Sequence, residues 1–221
     1  LEDTPSKGLL SMLNITLLIV PMVSILFSTT YIYNSAEFIE LLLSQPVKRQ
    51  KIWTSMFGGL SSSLVLAYIV GAGIPVLIYA PAATALMMIA TGCCVSAIFV
   101  ALAFLSAIIS RDKAKGIGVS ILLWLYFALL FDGIVLFLLF QFSEYPIEKL
   151  MVFITALSPI DLGRIMILLK LDISAMMGYT GAVFKNFFGT GCGMAISFLL
   201  LLSFIIIPYG ISLHIFRKKN L

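Results

Sequence analysis

Five long apolar stretches constrain this chain more than any other feature: residues 9–33, 54–79, 82–109, 117–142 and 187–213. Each exceeds the roughly 20 residues that a helix needs to cross the hydrocarbon core of a bilayer. Backbone N–H and C=O groups find no water there and must bond within their own segment, so such stretches become helices. The expected fold class is therefore all-α, a polytopic transmembrane helical bundle forming one domain over residues 1–221, with external helices lying at the membrane interface. Only 11% of the 221 residues are charged, against roughly a quarter in soluble domains. That balance excludes a soluble globular protein.

An odd number of spans places the two ends of the sequence on opposite sides of the membrane. The basic residues decide which is which. Loops 34–53 and 110–116 and the tail 214–221 share one side and hold Lys48, Arg49, Lys51, Arg111, Lys113, Lys115, Arg217, Lys218 and Lys219. The other side keeps Lys7, Lys149, Arg164, Lys170 and Lys185. Short loops rich in Lys and Arg stay inside, so the first side is cytoplasmic. The formal net charge of +4 thus reports topology, with anionic lipid headgroups as the expected contacts and no case for nucleic acid. The sequence opens on Leu rather than Met, and no basic region precedes a short apolar core with a cleavage site. A signal peptide is not expected, and the native N-terminus is expected to lie further upstream.

The cytoplasmic loop 34–53 contains Ser35-Ala36-Glu37-Phe38-Ile39-Glu40-Leu41-Leu42-Leu43-Ser44-Gln45-Pro46. Phe38, Leu41 and Leu42 recur at helical spacing, Glu37 and Glu40 suit the positive end of a helix dipole, and Pro46 stops the helix. A helix this short is marginal alone and needs something to pack against. Two supports fit: the membrane surface, as a re-entry elbow, or a groove in a cytoplasmic protein. The cytoplasmic loops are too short to build a nucleotide site, and GxxxxGK[ST] is absent. Gly189-Thr190-Gly191-Cys192-Gly193 has no following Lys and opens an apolar span, so it reads as close helix packing. If ATP powers this protein, another subunit binds it, and the loop helix is where force would enter.

Outside the membrane, segment 143–186 holds an apolar run too short to cross. After it, Ser158-Pro159-Ile160-Asp161 has the marks of a helix start, with Ser as N-cap, Pro at the first position and Asp in the first turn. A sixth span over 150–169 would bury Asp161 and Arg164 at roughly 2.5–3.5 kcal/mol each, so two interfacial helices are expected instead, serving either as packing or as a docking platform for an external partner. Asp132 falls near the middle of the fourth span among residues that cannot satisfy it. Asn14, Thr16, Ser61 to Ser63, Tyr68 and Ser96 are the candidate partners, and the carboxyl serves either a proton or cation role or an interhelical clasp. Cys93, Cys94 and Cys192 fit small buried apolar positions or a soft-metal role. Met151, Met166, Met176 and Met177 fit filler or copper contact, His214 reads as interfacial, and the sequon at Asn14 is buried in a span. No metal-ligand cluster and no hydrolase triad is visible, so this chain is not expected to be an enzyme.

Glu40-Leu41-Leu42-Leu43-Ser44-Gln45-Pro46-Val47-Lys48-Arg49 resembles the E-L-L-L-S-x-P-V-x-R signature of type-2 ABC transporter permeases, whose loop helix couples to the ATPase subunit. Ser158 to Arg164, Leu168-Leu169 to Leu171-Asp172, and Met177 to Ala182 resemble more narrowly the external segment of the permease subfamily that serves nitrous-oxide reductase maturation. The similarity covers nearly the whole chain. It departs in span number, since the family has six spans and a cytoplasmic N-terminus. The resemblance implies a homodimer of permeases, each contacting a cytoplasmic ATPase that holds ATP and Mg, with a periplasmic right-handed β-helix protein of the NosD type docked outside and assembly of the reductase's copper-sulfur centre as the purpose. It also implies a bacterial inner-membrane location, no cofactor and no metal on this chain, and roles for particular residues: Glu37, Glu40, Leu41, Leu42 and Arg49 in ATPase coupling, and Asp161, Arg164, Asp172 and Tyr179 in periplasmic docking. The alternatives are a general ABC exporter permease of the drug, lipid or gliding type, a secondary transporter, for which paired intramembrane charges and a repeat are wanting, and an interfacial scaffold.

Overall fold

The computed structural model describes residues 4–110, 112–141, 148–170 and 191–218. Among these the regular structure is entirely helical. α1 covers Thr4–Asn34 and α2 Ala36–Leu43. α3 occupies Arg49–Tyr79, passing through a π-helical turn at Ile69–Gly73, and α4 occupies Ala82–Ile109. α5 runs from Lys113–Leu125 through a π-helical turn, Tyr126–Leu130, into Phe131–Gln141. α6 is Glu148–Ala156, α7 is Pro159–Lys170 and α8 is Gly191–Lys218. Five helices, α1, α3, α4, α5 and α8, are long and apolar enough to span a membrane, as the sequence predicts.

The three basic segments meet at one end. The Tyr33 hydroxyl donates to the Ser110 carbonyl at 2.9 Å, Lys113 donates to Asn34 Oδ1 at 2.8 Å, and Gln50 lies against the Arg217 guanidinium at 2.9 Å once its amide is oriented to accept. This is the inward end by the distribution of charge.

α4 is the axis of the bundle. Two thirds (67%) of its most apolar window is buried, against 39% for α1 and 17% or less for the other spans. Its sequence suits the position: no charged residue between Ala82 and Ile109, and small residues that let neighbours come close. Tyr68 of α3 lies across Gly92 and donates to the Met88 carbonyl at 3.0 Å; a Cβ on Gly92 would overlap the ring. The ring of Tyr33 occupies the corresponding place over Gly116 of α5.

Between α1, α4 and α5 runs a ladder of buried hydroxyls. Ser24 bonds Ser96 at 3.0 Å, and Ser120 bonds both Thr29 at 2.8 Å and Ser106 at 2.7 Å. Each interhelical bond of this kind is worth roughly 0.6 kcal/mol in a membrane, so the ladder fixes register more than it adds stability.

The two π-turns differ in cause. Pro75 stands just past Ile69–Gly73, and its ring and missing N–H make a regular i to i−4 ladder impossible over that turn. The turn at Tyr126–Leu130 has no proline. It ends two residues before Asp132 and resets the face that the rest of α5 presents, as such turns do near functional groups.

Replacing Gly92 by Val should force the Tyr68 ring out of its seat and lower stability by about 1–3 kcal/mol. Gly58→Ala, where a Cβ meets open space, should leave the melting temperature unchanged. Thermal unfolding of the two variants in the same detergent makes the comparison.

Candidate functional site

At the inward end, α2 forms where the loop sequence predicts a helix, and it presents two apolar faces. Ile39 is buried and packs with Leu43 against a cluster that contains Trp53, Phe104 and Phe216. Phe38 and Leu41 point away, 59% and 65% exposed. The stripe expected from Phe38, Leu41 and Leu42 is therefore not the one that holds the helix. Glu37 lies in the first turn. Glu40 stands one turn further on, beyond the first turn. Glu37, Glu40, Leu41 and Ser44 line a shallow depression of about 410 Å³, and Arg49 opens α3 just beyond.

The cluster under α2 was not anticipated from sequence. Trp53 stacks on Phe216 with centroids 4.3 Å apart and meets Phe104 edge-on at 4.8 Å. Its indole N–H donates to Ser212 at 3.0 Å, and Ser212 in turn donates to the Phe104 carbonyl at 3.1 Å. Phe57 and Tyr209 extend the stack. α3, α4 and α8 are thereby locked together behind the helix that α2 presents. The only advance signal was a Trp four residues after Arg49 and a Phe beside the terminal basic run.

The outer end departs from expectation. α7 starts as predicted, with the Asp161 N–H donating to the capping Ser158 hydroxyl at 3.3 Å, but it does not lie on the surface. Ile160, Leu162, Ile165, Met166, Ile167 and Leu168 are all buried in the main core. Gly163 abuts Thr91 of α4, with Leu17 of α1 and Val95 nearby. Thr91 is nine residues along α4, about 14 Å from its outer end, so α7 enters the bundle. Of the two roles open to this helix, packing against the spans is the one its apolar face serves, and its charges find partners within.

Those partners include Asp132. Arg164 Nη1 donates to both oxygens of Asp132, at 3.0 and 3.1 Å, and lies 3.3 Å from Asp161 Oδ1 one turn earlier on its own helix. None of the partners proposed for Asp132 from sequence serves: Ser96 pairs with Ser24 and Tyr68 with Met88. Asp161 is only 7% exposed, so it lies inside the bundle rather than on an outer docking surface. Burial first, then the hydrogen bond and charge of Asp132, push its carboxyl up to about 7, against the pull of Arg164 and Ser158. Two carboxyls thus share one guanidinium at the junction of α5 and α7. Asp172, Tyr179, Met176 and Met177 lie outside the described residues.

A family profile described as "ABC-2 family transporter protein" matches residues 2–221. The chain is also similar to the "Probable ABC transporter permease protein NosY" of Pseudomonas aeruginosa, with 25% identity over 180 residues, 76% of this chain and 66% of that protein. It thus spans just under two thirds of that relative's length.

Removing the shared guanidinium leaves two carboxyls without a counter-charge. Arg164→Ala should destabilise the protein by about 2 kcal/mol or more, with Arg164→Lys intermediate because a single ammonium cannot hold both carboxyls in the same fork. Melting temperatures of the purified variants in one detergent give the order.

Proposed function

Because the chain belongs to the ABC-2 family of transporter proteins and is a multi-pass inner-membrane subunit, we propose that it passes the motion of a cytoplasmic ATPase through the membrane to a periplasmic partner. ATP and Mg belong to that ATPase, and the reading needs no cofactor or metal here. α2 is the contact, with Glu37, Glu40, Leu41 and Leu42 facing the ATPase and Arg49 flanking it.

One observation carries this reading: α2 is anchored on one side and open on the other. Ile39 and Leu43 tie it to the Trp53 cluster, while Phe38 and Leu41 remain exposed beside Glu37 and Glu40. An elbow whose role was only to rest on lipid would have no use for acidic residues flanking its exposed apolar pair. A groove with an apolar floor and basic rim fits it. Push on that face and the load reaches α3, α4 and α8 together through Trp53.

The finer reading is a homodimer of such permeases working with a periplasmic β-helix protein in assembly of the copper-sulfur centre of nitrous-oxide reductase. Its support is the similarity to the Pseudomonas aeruginosa NosY protein together with the outer-segment motifs Ser158 to Arg164 and Leu168-Leu169. Asp172 and Tyr179 are the residues proposed to meet the outer partner. Arg164, turned toward Asp132, is better suited to holding the platform in place than to touching the partner, and Asp161 shares that role. A general exporter would use the same α2.

Glu40→Lys should weaken ATPase binding about tenfold or more, the size of one lost charge-assisted contact, and abolish stimulation of ATP hydrolysis while membrane insertion is unchanged. Reconstitution of the variant with its ATPase reads both; undiminished stimulation refutes the coupling role.

A further inference from the structure

The outer cluster holds an unbalanced set of charges. Asp132 and Asp161 bring two negative charges and Arg164 one positive, 3.0 and 3.3 Å away. Among the other described elements packed against α7, α1 carries Lys7 in its first turn and α6 carries Glu148 and Lys149 at its start, two turns from the end that leads into α7. α4 has no charged residue, the basic residues of α8 lie in its last turn at the opposite end, and Lys113 and Lys115 lie at the far end of α5. The remaining titratable side chains on α4, α5 and α8 are Cys93 and Cys94 of α4, Tyr126 of α5, and Cys192, Tyr209 and His214 of α8, the last two toward its inward end. A second, separate observation concerns one atom. Asp161 Oδ2 is fully buried and has no donor facing it, and the same Arg164 nitrogen holds both Asp132 and Asp161, at 3.0 and 3.3 Å. A carboxylate there accepts from nothing. A carboxylic acid there would bring a hydrogen to share with Asp132, the other carboxylate on that nitrogen.

We propose that Asp161 is a proton-binding site, and that one proton taken from the outer aqueous phase and shared with Asp132 latches α7 to α5. The proton bonds to a carboxylate oxygen of Asp161, turns an acceptor into a donor, and brings the cluster from one net negative charge to none. No other bond changes. Its loss returns a buried charge to a site of low polarity, where two neighbouring carboxylates repel, and the seat of α7 in the bundle weakens. The proposal is independent of what drives transport, and it makes the outer half of the bundle responsive to external acidity.

The sign follows from linkage. With α7 released, Asp161 titrates near its free value of about 3.9; seated, it does so at about 7. Between these limits the seated state holds a proton that the released state lacks, so seating weakens as pH rises and levels off above the upper limit.

The test uses the full chain in lipid nanodiscs. Amide exchange over residues 159–170, expressed as protection factors, is followed from about pH 5 to about pH 8. The opening constant should rise by up to about tenfold per pH unit to about pH 7, then flatten. Asp161→Asn, neutral and able to donate to Asp132, should stay protected and lose the dependence. Asp132→Asn leaves one carboxylate for one guanidinium and should move the dependence to lower pH. Infrared difference spectra of the wild type should show a protonated carboxylic carbonyl that disappears over the same window and is missing in Asp161→Asn. Protection that ignores pH in the wild type, or changes equally in Asp161→Asn, overturns the proposal. So does the absence of a titrating carbonyl band, which is read on the wild type even if a variant fails to fold.

Discussion

The packing around α4 is the constraint from which the rest of the bundle follows. Apolar burial cannot drive helices together inside lipid as it does in water, so close approach and a few polar bonds must do it. α4 supplies both: Gly92 gives Tyr68 a seat, Ser96 and Ser106 reach Ser24 and Ser120, and Thr91 meets the glycine of α7. Once α4 is fixed as the axis, α1, α3, α5 and α8 have little freedom left.

The two ends of that axis are built from different chemistry. The inward end is aromatic and tight, with Trp53 held between Phe104 and Phe216 and its N–H satisfied by Ser212. The outward end is filled by α7, an inserted piece of the outer segment held in part by an ion pair. A load applied at α2 therefore meets a stiff block first and a seat dependent on charge last. That order suits the proposed passage of motion from the inner side to the outer.

Much of this was legible from sequence, for physical reasons. Apolar runs of more than twenty residues leave no alternative to spanning helices, and Ser158-Pro159 at the start of α7 announces itself through cap chemistry. The face of α2 was not legible, because Phe38, Ile39, Leu41, Leu42 and Leu43 surround the helix and only tertiary packing selects Ile39. How closely α7 packs into the bundle was not legible for a related reason. Counting Asp161 and Arg164 as separate insertion costs ignores that they pair one turn apart, and that Asp132, 32 residues earlier than Arg164, completes the set. A long-range ion pair leaves no periodic trace in a single sequence.

The position of α7 has one more consequence. By filling the space between α1, α4 and α8 from outside, it acts as a cork cut from the protein's own chain, and any passage along the bundle axis would begin with drawing it.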